Sequence, residues 1–158
     1  MSGPPPRPPW RHLGLSCLGV FTAISAVAWS TFDLGVVLLA GSFGSSSVIL
    51  FAFQDTHYAQ PRSLIGGHFL SALVGVAALM LLGPSWWALG IAVAAATAVM
   101  HSTRCMHPPA GSNPVVVYLA KAHWTFAFAP VLAGATVMVL IAAVYFRLIR
   151  RRYPVYWW

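Results

Sequence analysis

The chain has 158 residues, of which 59% are hydrophobic and 7% are charged, and its formal net charge at pH 7 is +7 with only two acidic residues. A soluble domain carries about 25% charged residues, so this composition excludes a water-soluble globular protein and predicts an all-α integral membrane protein. Four of the nine basic residues are arginines at 147–152, where they would face anionic lipid at the membrane surface. We therefore expect no nucleic-acid partner.

Taken in chain order, the sequence predicts three regions. Residues 1–12 form a proline-rich, disordered arm, residues 13–149 form a helical transmembrane domain, and residues 150–158 form a basic, aromatic tail. A spanning helix needs about 20 apolar residues. Four stretches meet or nearly meet that length, namely 13–32, 64–82, 86–100 and 127–146.

Two further apolar segments are short or broken. Residues 34–53 are interrupted by the Gly/Ser-rich stretch 41–47, and residues 114–120 are long enough only for a half-helix. We therefore predict four long transmembrane helices plus two short or broken helical segments.

Ala-Gly-Ser occurs at residues 40–42 and again at 110–112, an offset of 70 residues that also superposes the flanking apolar stretches. This pattern predicts an internal two-fold repeat of long helix, broken helix and long helix, typical of transporters with a midplane site. The alternative is a chance recurrence in a chain rich in these three residues.

Two topologies fit the charges. If all six segments cross, Arg62, Arg104 and both termini share one side, which the positive-inside rule makes cytoplasmic. If the two broken segments are re-entrant, four helices cross and both termini remain cytoplasmic, but Arg62 and Arg104 move to the other side.

The main candidate site is the polar stretch His101–Pro114, which would be costly in lipid unless it were buried or lined a hydrated path. Asn113 is a good N-cap and Pro114 a good first helical residue. The free amides beyond Pro114 would make a helix N-terminus suited to an anion, with Gly111, Ser112 and Asn113 in contact and His107 donating a hydrogen bond or relaying a proton. The alternative is an interfacial turn.

Other candidate residues surround this stretch. Arg62 and Arg104 would attract an anion, although Arg62, which precedes a long apolar helix, is also typical of an interface anchor. His68 lies about one turn inside its helix on a small-residue face. Gly41 and Ser42 open the other broken segment, where the serines would contact a solute or pack between helices.

Enzymatic motifs are missing from the sequence. There is no Gly-x-Ser-x-Gly, His-Glu-x-x-His or phosphate loop, and the two aspartates lie apart in a turn and a loop. No Cys-x-x-Cys or carboxylate cluster supports the six histidines as metal ligands. We expect no enzyme, no cofactor and no bound metal.

At these residues the chain resembles the HPP family of small integral membrane proteins. The resemblance covers roughly residues 34–146 and rests on three motifs, which are His107-Pro108-Pro109-Ala110-Gly111, Gln60-Pro61-Arg62 with Gly66-Gly67-His68, and the Gly41-Ser42 turn. It implies four membrane spans and, because some cyanobacterial and chloroplast members are associated with nitrite transport, nitrite as a candidate solute. Ser63 and the Ser112-Asn113-Pro114 continuation depart from the usual pattern beside the site.

We therefore predict a transporter or channel for a small inorganic anion such as nitrite, a homo-oligomer located in a bacterial inner membrane. The first alternative is a non-transporting membrane scaffold that uses its small-residue faces for assembly. The second is an intramembrane metal or redox protein.

Overall fold

The computed structural model describes Gly3 and residues 6–157, and within them it contains six α-helices and no strand. The helices are α1 (Trp10–Phe32), α2 (Phe43–Ala52), α3 (Pro61–Leu82), α4 (Trp86–Ser102), α5 (Asn113–Ala120) and α6 (Ala133–Leu148). Short 3₁₀ turns at His57–Ala59 and Pro108–Ser112 precede α3 and α5, and a π-helical turn at Ala127–Leu132 leads directly into α6.

The prediction of an all-helical protein is confirmed, but the prediction of four long transmembrane helices is wrong. Among the described residues, three helices are long and apolar enough to cross a membrane, namely α1, α3 and the stretch Ala127–Leu148, which is kinked at the non-helical Ala129. The fourth predicted span, α4, has 17 residues, about 25 Å against a hydrocarbon core of about 30 Å. Gly83 and Pro84 precede it, and a left-handed Arg104 (φ 57°) follows it, so the helix cannot extend at either end.

The first helix begins earlier than expected. Trp10 to His12 are helical although they belong to the predicted disordered arm, because Pro9 acts as the N-cap and its carbonyl accepts the Leu13 N–H at 3.1 Å. Residues 6–9 form no helix. Met1, Ser2, Pro4 and Pro5, which belong to the same predicted arm, lie outside the described residues.

The first broken segment runs along α1 from one end of the bundle to the other. The Val36 N–H bonds to the Ser30 carbonyl at 2.9 Å near the end of α1, whereas the Ser16 hydroxyl bonds to the Phe51 carbonyl at 3.0 Å near its start. Ser30 lies fourteen helical steps after Ser16, which is about 21 Å along α1. Residues 36–51 therefore cross antiparallel to α1, first as non-helical chain and then as α2.

The second broken segment descends along α3. The Cys105 carbonyl and His107 lie against Gly67, and Pro114 lies against Gly75, two turns further along the helix. Between these levels the Ser71 hydroxyl donates to the Ala110 carbonyl at 2.6 Å. These contacts advance about 12 Å down α3, and the rest of α5 adds about 9 Å. This segment therefore also runs from one end of the bundle toward the other, and the choice between six crossing segments and two re-entrant ones stays a prediction.

One end of the bundle gathers the basic residues, and we call it the basic end. Here Arg62 donates to the Thr103 carbonyl at 2.8 Å, and Arg151 donates to His12 at 2.9 Å. The C-terminal tail folds back onto this end, where the Tyr153 hydroxyl donates to the Ala59 carbonyl at 2.9 Å. Burial raises the pKa of the Tyr153 phenol, so the hydroxyl keeps its proton and remains a donor. Cytoplasmic orientation of this end stays a prediction.

Close helix packing depends on glycine. Gly19 of α1 accommodates the ring of Phe51, and Gly134 of α6 accommodates Phe43 together with the Leu38 carbonyl.

The two short helices start at equivalent positions of the predicted repeat. α2 begins at Phe43 and α5 at Asn113, an offset of 70 residues that matches the Ala-Gly-Ser recurrence. The internal repeat itself stays a prediction.

Candidate functional site

The two broken segments meet in the interior of the bundle. The Ser42 hydroxyl, at the start of α2, donates to the Asn113 side-chain oxygen at the start of α5, at 2.8 Å. The two side chains are 71 residues apart in the chain and are 2% and 0% exposed. The breaks in both segments are therefore brought to one buried point.

Asn113 lies at this point, but it does not have the predicted role of N-cap. It is the first residue of α5 rather than its N-cap, and the helix has no side-chain cap. Its amide nitrogen donates to the His68 carbonyl at 2.9 Å and contacts His68 Nδ1 at 3.1 Å. The asparagine therefore ties α5 to α3.

A 3₁₀ turn leads into the helix N-terminus that the sequence predicts. The turn Pro108–Ser112 continues directly into α5, and the Asn113 N–H bonds to the Ala110 carbonyl. The Ala110 N–H bonds in turn to the His107 carbonyl at 2.9 Å. Because the turn extends the helix backwards, the backbone amides of Ala110 and Asn113 are already hydrogen-bonded.

Two buried histidines share one serine. The Ser46 hydroxyl oxygen lies 2.7 Å from His68 Nε2 and 2.9 Å from His107 Nε2. On its other side, His107 Nδ1 lies 2.7 Å from the Tyr58 carbonyl oxygen. The two imidazole centroids are 4.9 Å apart. We call Ser42, Ser46, His68, His107 and Asn113 the buried junction.

The partners assign the protons when both rings are neutral. A carbonyl can only accept, so His107 carries its proton on Nδ1 and accepts at Nε2. His68 Nδ1 faces the Asn113 amide nitrogen, so His68 accepts there and carries its proton on Nε2. Ser46 then accepts from His68, and its single proton has two acceptors within reach, His107 Nε2 at 2.9 Å and the Ser42 carbonyl at 3.0 Å. With the hydroxyl turned toward His107, a directed chain of hydrogen bonds runs from His68 through Ser46 and His107 to the Tyr58 carbonyl.

The buried junction is closed to solvent. Its five side chains are between 0% and 2% exposed, and each polar side-chain atom among them has a hydrogen-bond partner. The edge of Phe43 packs against His68, with centroids 5.2 Å apart. In this conformation the junction joins α2, α3 and α5 without an unused donor for a solute.

The structure brings together four of the predicted site residues, namely Ser42, His68, His107 and Asn113. Three others lie beside the junction and contribute no side-chain donor to it. Gly41 packs near Val116, Gly111 has open space at its α-carbon, and the Ser112 hydroxyl donates to the Pro109 carbonyl at 2.8 Å.

The two predicted arginines lie at the basic end instead. Arg62 contacts the Thr103 carbonyl, as described above. Arg104 is exposed and lines a cavity of about 290 Å³ that we call the vestibule. The vestibule is lined by His57, Tyr58, Ser63, His101, Arg104, Met106 and Tyr156. Tyr58 connects the two regions, because its carbonyl accepts the His107 hydrogen bond and the residue also lines the vestibule.

Ser46 joins both histidines but is not among the residues predicted from the sequence. Its signal was the spacing of four from Ser42, which puts the two hydroxyls on the same face of α2. Three consecutive serines at 45–47 concealed it, since Ser45 and Ser47 only donate to backbone carbonyls one turn earlier.

No group of three or more His, Cys, Asp or Glu residues is placed to hold a metal ion within Gly3 and residues 6–157. Cys17 and Cys105 are both free thiols.

Comparisons with known proteins agree with this architecture. The family model described as "HPP, transmembrane region" matches residues 5–154. The chain belongs to the HPP transmembrane family. As an HPP family member it is an integral membrane protein, in agreement with its apolar helices.

Two curated relatives, both from Dictyostelium discoideum and both named only as transmembrane proteins, are 36% and 34% identical over 167 residues. Each alignment covers 98% of this HPP chain, but the chain spans only 59% and 54% of the length of these relatives. No solved structure gives a significant match. Location in a bacterial inner membrane stays a prediction.

Proposed function

We propose that this HPP protein carries a small inorganic anion, with nitrite as the first candidate, across the membrane. One observation carries the proposal: both broken segments run from end to end and meet at a buried polar junction between Ser42 and Asn113. Interrupted helices that meet inside the bundle are typical of transporters, where the break supplies the polar groups for a solute.

The vestibule is the proposed entrance. Arg104 carries a permanent positive charge, and His57 and His101 line the same cavity with no acidic residue among its lining residues. Such a lining raises the local anion concentration at the mouth of a path. The cavity reaches Tyr58, whose carbonyl is bonded to His107, so the entrance and the junction are one residue apart.

The junction would then act as a gate. In the closed conformation its donors are engaged with each other, so an anion passes only when the Ser42–Asn113 and Asn113–His68 bonds open. The freed hydroxyl of Ser42 and the amide of Asn113 would supply donors to the anion in exchange for the lost contacts. Net hydrogen-bond energies of about 1 kcal/mol make this exchange accessible.

The test is anion uptake by purified protein in proteoliposomes. We expect flux of nitrite, nitrate, formate or chloride above that of empty vesicles. Arg104→Ala should reduce the flux several-fold at low ionic strength, whereas the matched control Arg147→Ala, at the end of α6, should leave it unchanged. The absence of flux for all four anions would remove the proposal.

A specific observation also favours a scaffold. The junction is buried and its polar atoms are all partnered, which is equally the arrangement of a lock between helices. A scaffold predicts stoichiometric co-purification of a partner and no flux for any anion. Assembly as a homo-oligomer is a further proposal, measured by the mass of the protein–detergent complex.

A further inference from the structure

The interior of the bundle contains no fixed charge. The buried polar side chains among the described residues are serines, glutamines, one asparagine and two histidines, and no Arg, Lys, Asp or Glu is among them. Arg104, which lines the vestibule, is exposed at the end of the bundle. His68 and His107 are thus the only side chains in this buried set that can acquire a positive charge.

An anion at such a site needs a counter-charge. Neutral hydroxyls and amides replace only part of the hydration of an ion in a medium of low dielectric constant, and a lone charge there is strongly disfavoured. A protonated imidazole beside the anion would neutralise it. Since the bundle supplies no fixed cation at this depth, the compensating charge must arrive and leave as a proton.

We infer that the anion moves together with one proton, and that the Ser46 hydroxyl relays this proton between His68 and His107. This inference rests on the proposed function and adds the coupling ion and its carrier groups. The geometry that supports it is the pair of contacts from one hydroxyl to two imidazole nitrogens, at 2.7 Å and 2.9 Å.

The transfer conserves atoms and charge. A proton binds the free Nδ1 of His68 as the bond from Asn113 opens, and His68 passes its Nε2 proton to the Ser46 oxygen. Ser46 passes its own proton to His107 Nε2, which makes His107 the imidazolium. Both hydrogen bonds of Ser46 are now reversed, and one positive charge has moved from His68 to His107. His107 releases its Nδ1 proton on the Tyr58 side, toward the vestibule. These steps describe an anion that leaves through the vestibule. For an anion that enters there each step runs in reverse, so the proton and the anion move in the same direction.

The groups facing the relay come from three elements. The helix α2 contributes Ser42 and Phe43, α5 contributes Asn113, and the turn at 57–59 contributes the Tyr58 carbonyl. None of these groups titrates near neutral pH, so the relay depends on the two histidines alone. The Ser42 carbonyl lies 3.0 Å from the Ser46 oxygen and accepts the hydroxyl proton when it is turned away from His107, so the relay runs only while the hydroxyl faces the imidazole ring.

The experiment measures nitrite uptake and internal pH together in proteoliposomes, with and without an imposed pH gradient. For the wild-type protein we expect uptake at least tenfold faster toward the alkaline side, with about one proton per nitrite. Ser46→Ala should remove the acceleration by the gradient. The matched control is Ser47→Ala, because Ser47 is equally buried on α2 but donates only to the Gly44 carbonyl at 2.7 Å.

A second variant keeps the test valid if Ser46→Ala does not fold. His107→Asn retains a donor for the Tyr58 carbonyl and removes the Nε2 acceptor, so it too should lose proton flux. Nitrite uptake that ignores the gradient, or full proton coupling in both variants, would overturn the relay and leave the anion carrier standing. No nitrite uptake by the wild-type protein under any gradient would instead overturn the carrier.

Discussion

The contact between Gly75 and Pro114 gives a quantitative test of how α5 sits on α3. A β-carbon added at Gly75 would lie 2.8 Å from the Pro114 Cα and 3.2 Å from its Cβ. The nearest atom belongs to the backbone of a proline ring and cannot rotate away, so α5 would have to move by about 0.6 Å to restore a 3.4 Å contact. Overpacking of this kind costs about 1–3 kcal/mol.

Alanine also favours a helix over glycine by about 1 kcal/mol, which partly offsets the clash. Gly90→Ala in α4 is the matched control, because an added β-carbon there meets nothing within 4 Å. The difference in unfolding free energy between the two variants removes the propensity gain and isolates the contact. We expect Gly75→Ala to be less stable than Gly90→Ala by about 1–3 kcal/mol.

The assay is an unfolding titration of purified protein in mixed micelles, followed by helix content and by intrinsic tryptophan fluorescence. Both variants should keep the wild-type helix content before the transition. Equal stabilisation by the two alanines would refute the placement of α5 against α3, since a freely accommodated side chain at residue 75 is incompatible with this packing.

The other predictions concern hydrogen bonds at the junction and the tail. Asn113→Ala leaves the Ser42 hydroxyl and the His68 carbonyl without their partner and should cost on the order of 2–3 kcal/mol in the same titration, whereas a loss below about 0.5 kcal/mol would contradict a buried contact. Tyr153→Phe removes the bond to the Ala59 carbonyl and should cost about 1 kcal/mol and expose the tail to protease. Tyr156→Phe, an exposed position on the vestibule, is its control, and equal protease sensitivity of the two variants would argue against a tail pinned by Tyr153.

The breaks in the two segments can be predicted from the sequence because glycine and proline occur at or near the start of each short helix. Gly41 and Ser42 precede α2, and Pro114 falls within the first turn of α5, so glycine and proline marked both helix starts within a residue or two. The length of α4 is predicted less well, because its apolar run is nearly long enough to span a membrane, whereas Gly83, Pro84 and the left-handed Arg104 limit the helix to 17 residues.

The partners of the junction could not be predicted from the sequence. Asn113 has a strong local preference for capping a helix. In the structure its backbone N–H bonds to the preceding 3₁₀ turn, and its side chain contacts Ser42, which is 71 residues away in the chain. Local propensity contains no information about that distance. The same holds for Ser46, since His68 and His107 identify one serine out of three only after α2 and α3 have packed.

The crossing of the bundle by α5 is tested most directly by measuring the side of the membrane on which each end of its segment lies. In a background without Cys17 and Cys105, single cysteines at Arg104 and Lys121 would be labelled with a membrane-impermeant thiol reagent in sealed, oriented vesicles. Because the segment runs from end to end, we predict that the two positions are labelled from opposite sides of the membrane. A cysteine at Ser85 should be labelled from the same side as the cysteine at Lys121. Labelling of Arg104→Cys and Lys121→Cys from the same side would make the segment re-entrant and contradict the crossing junction.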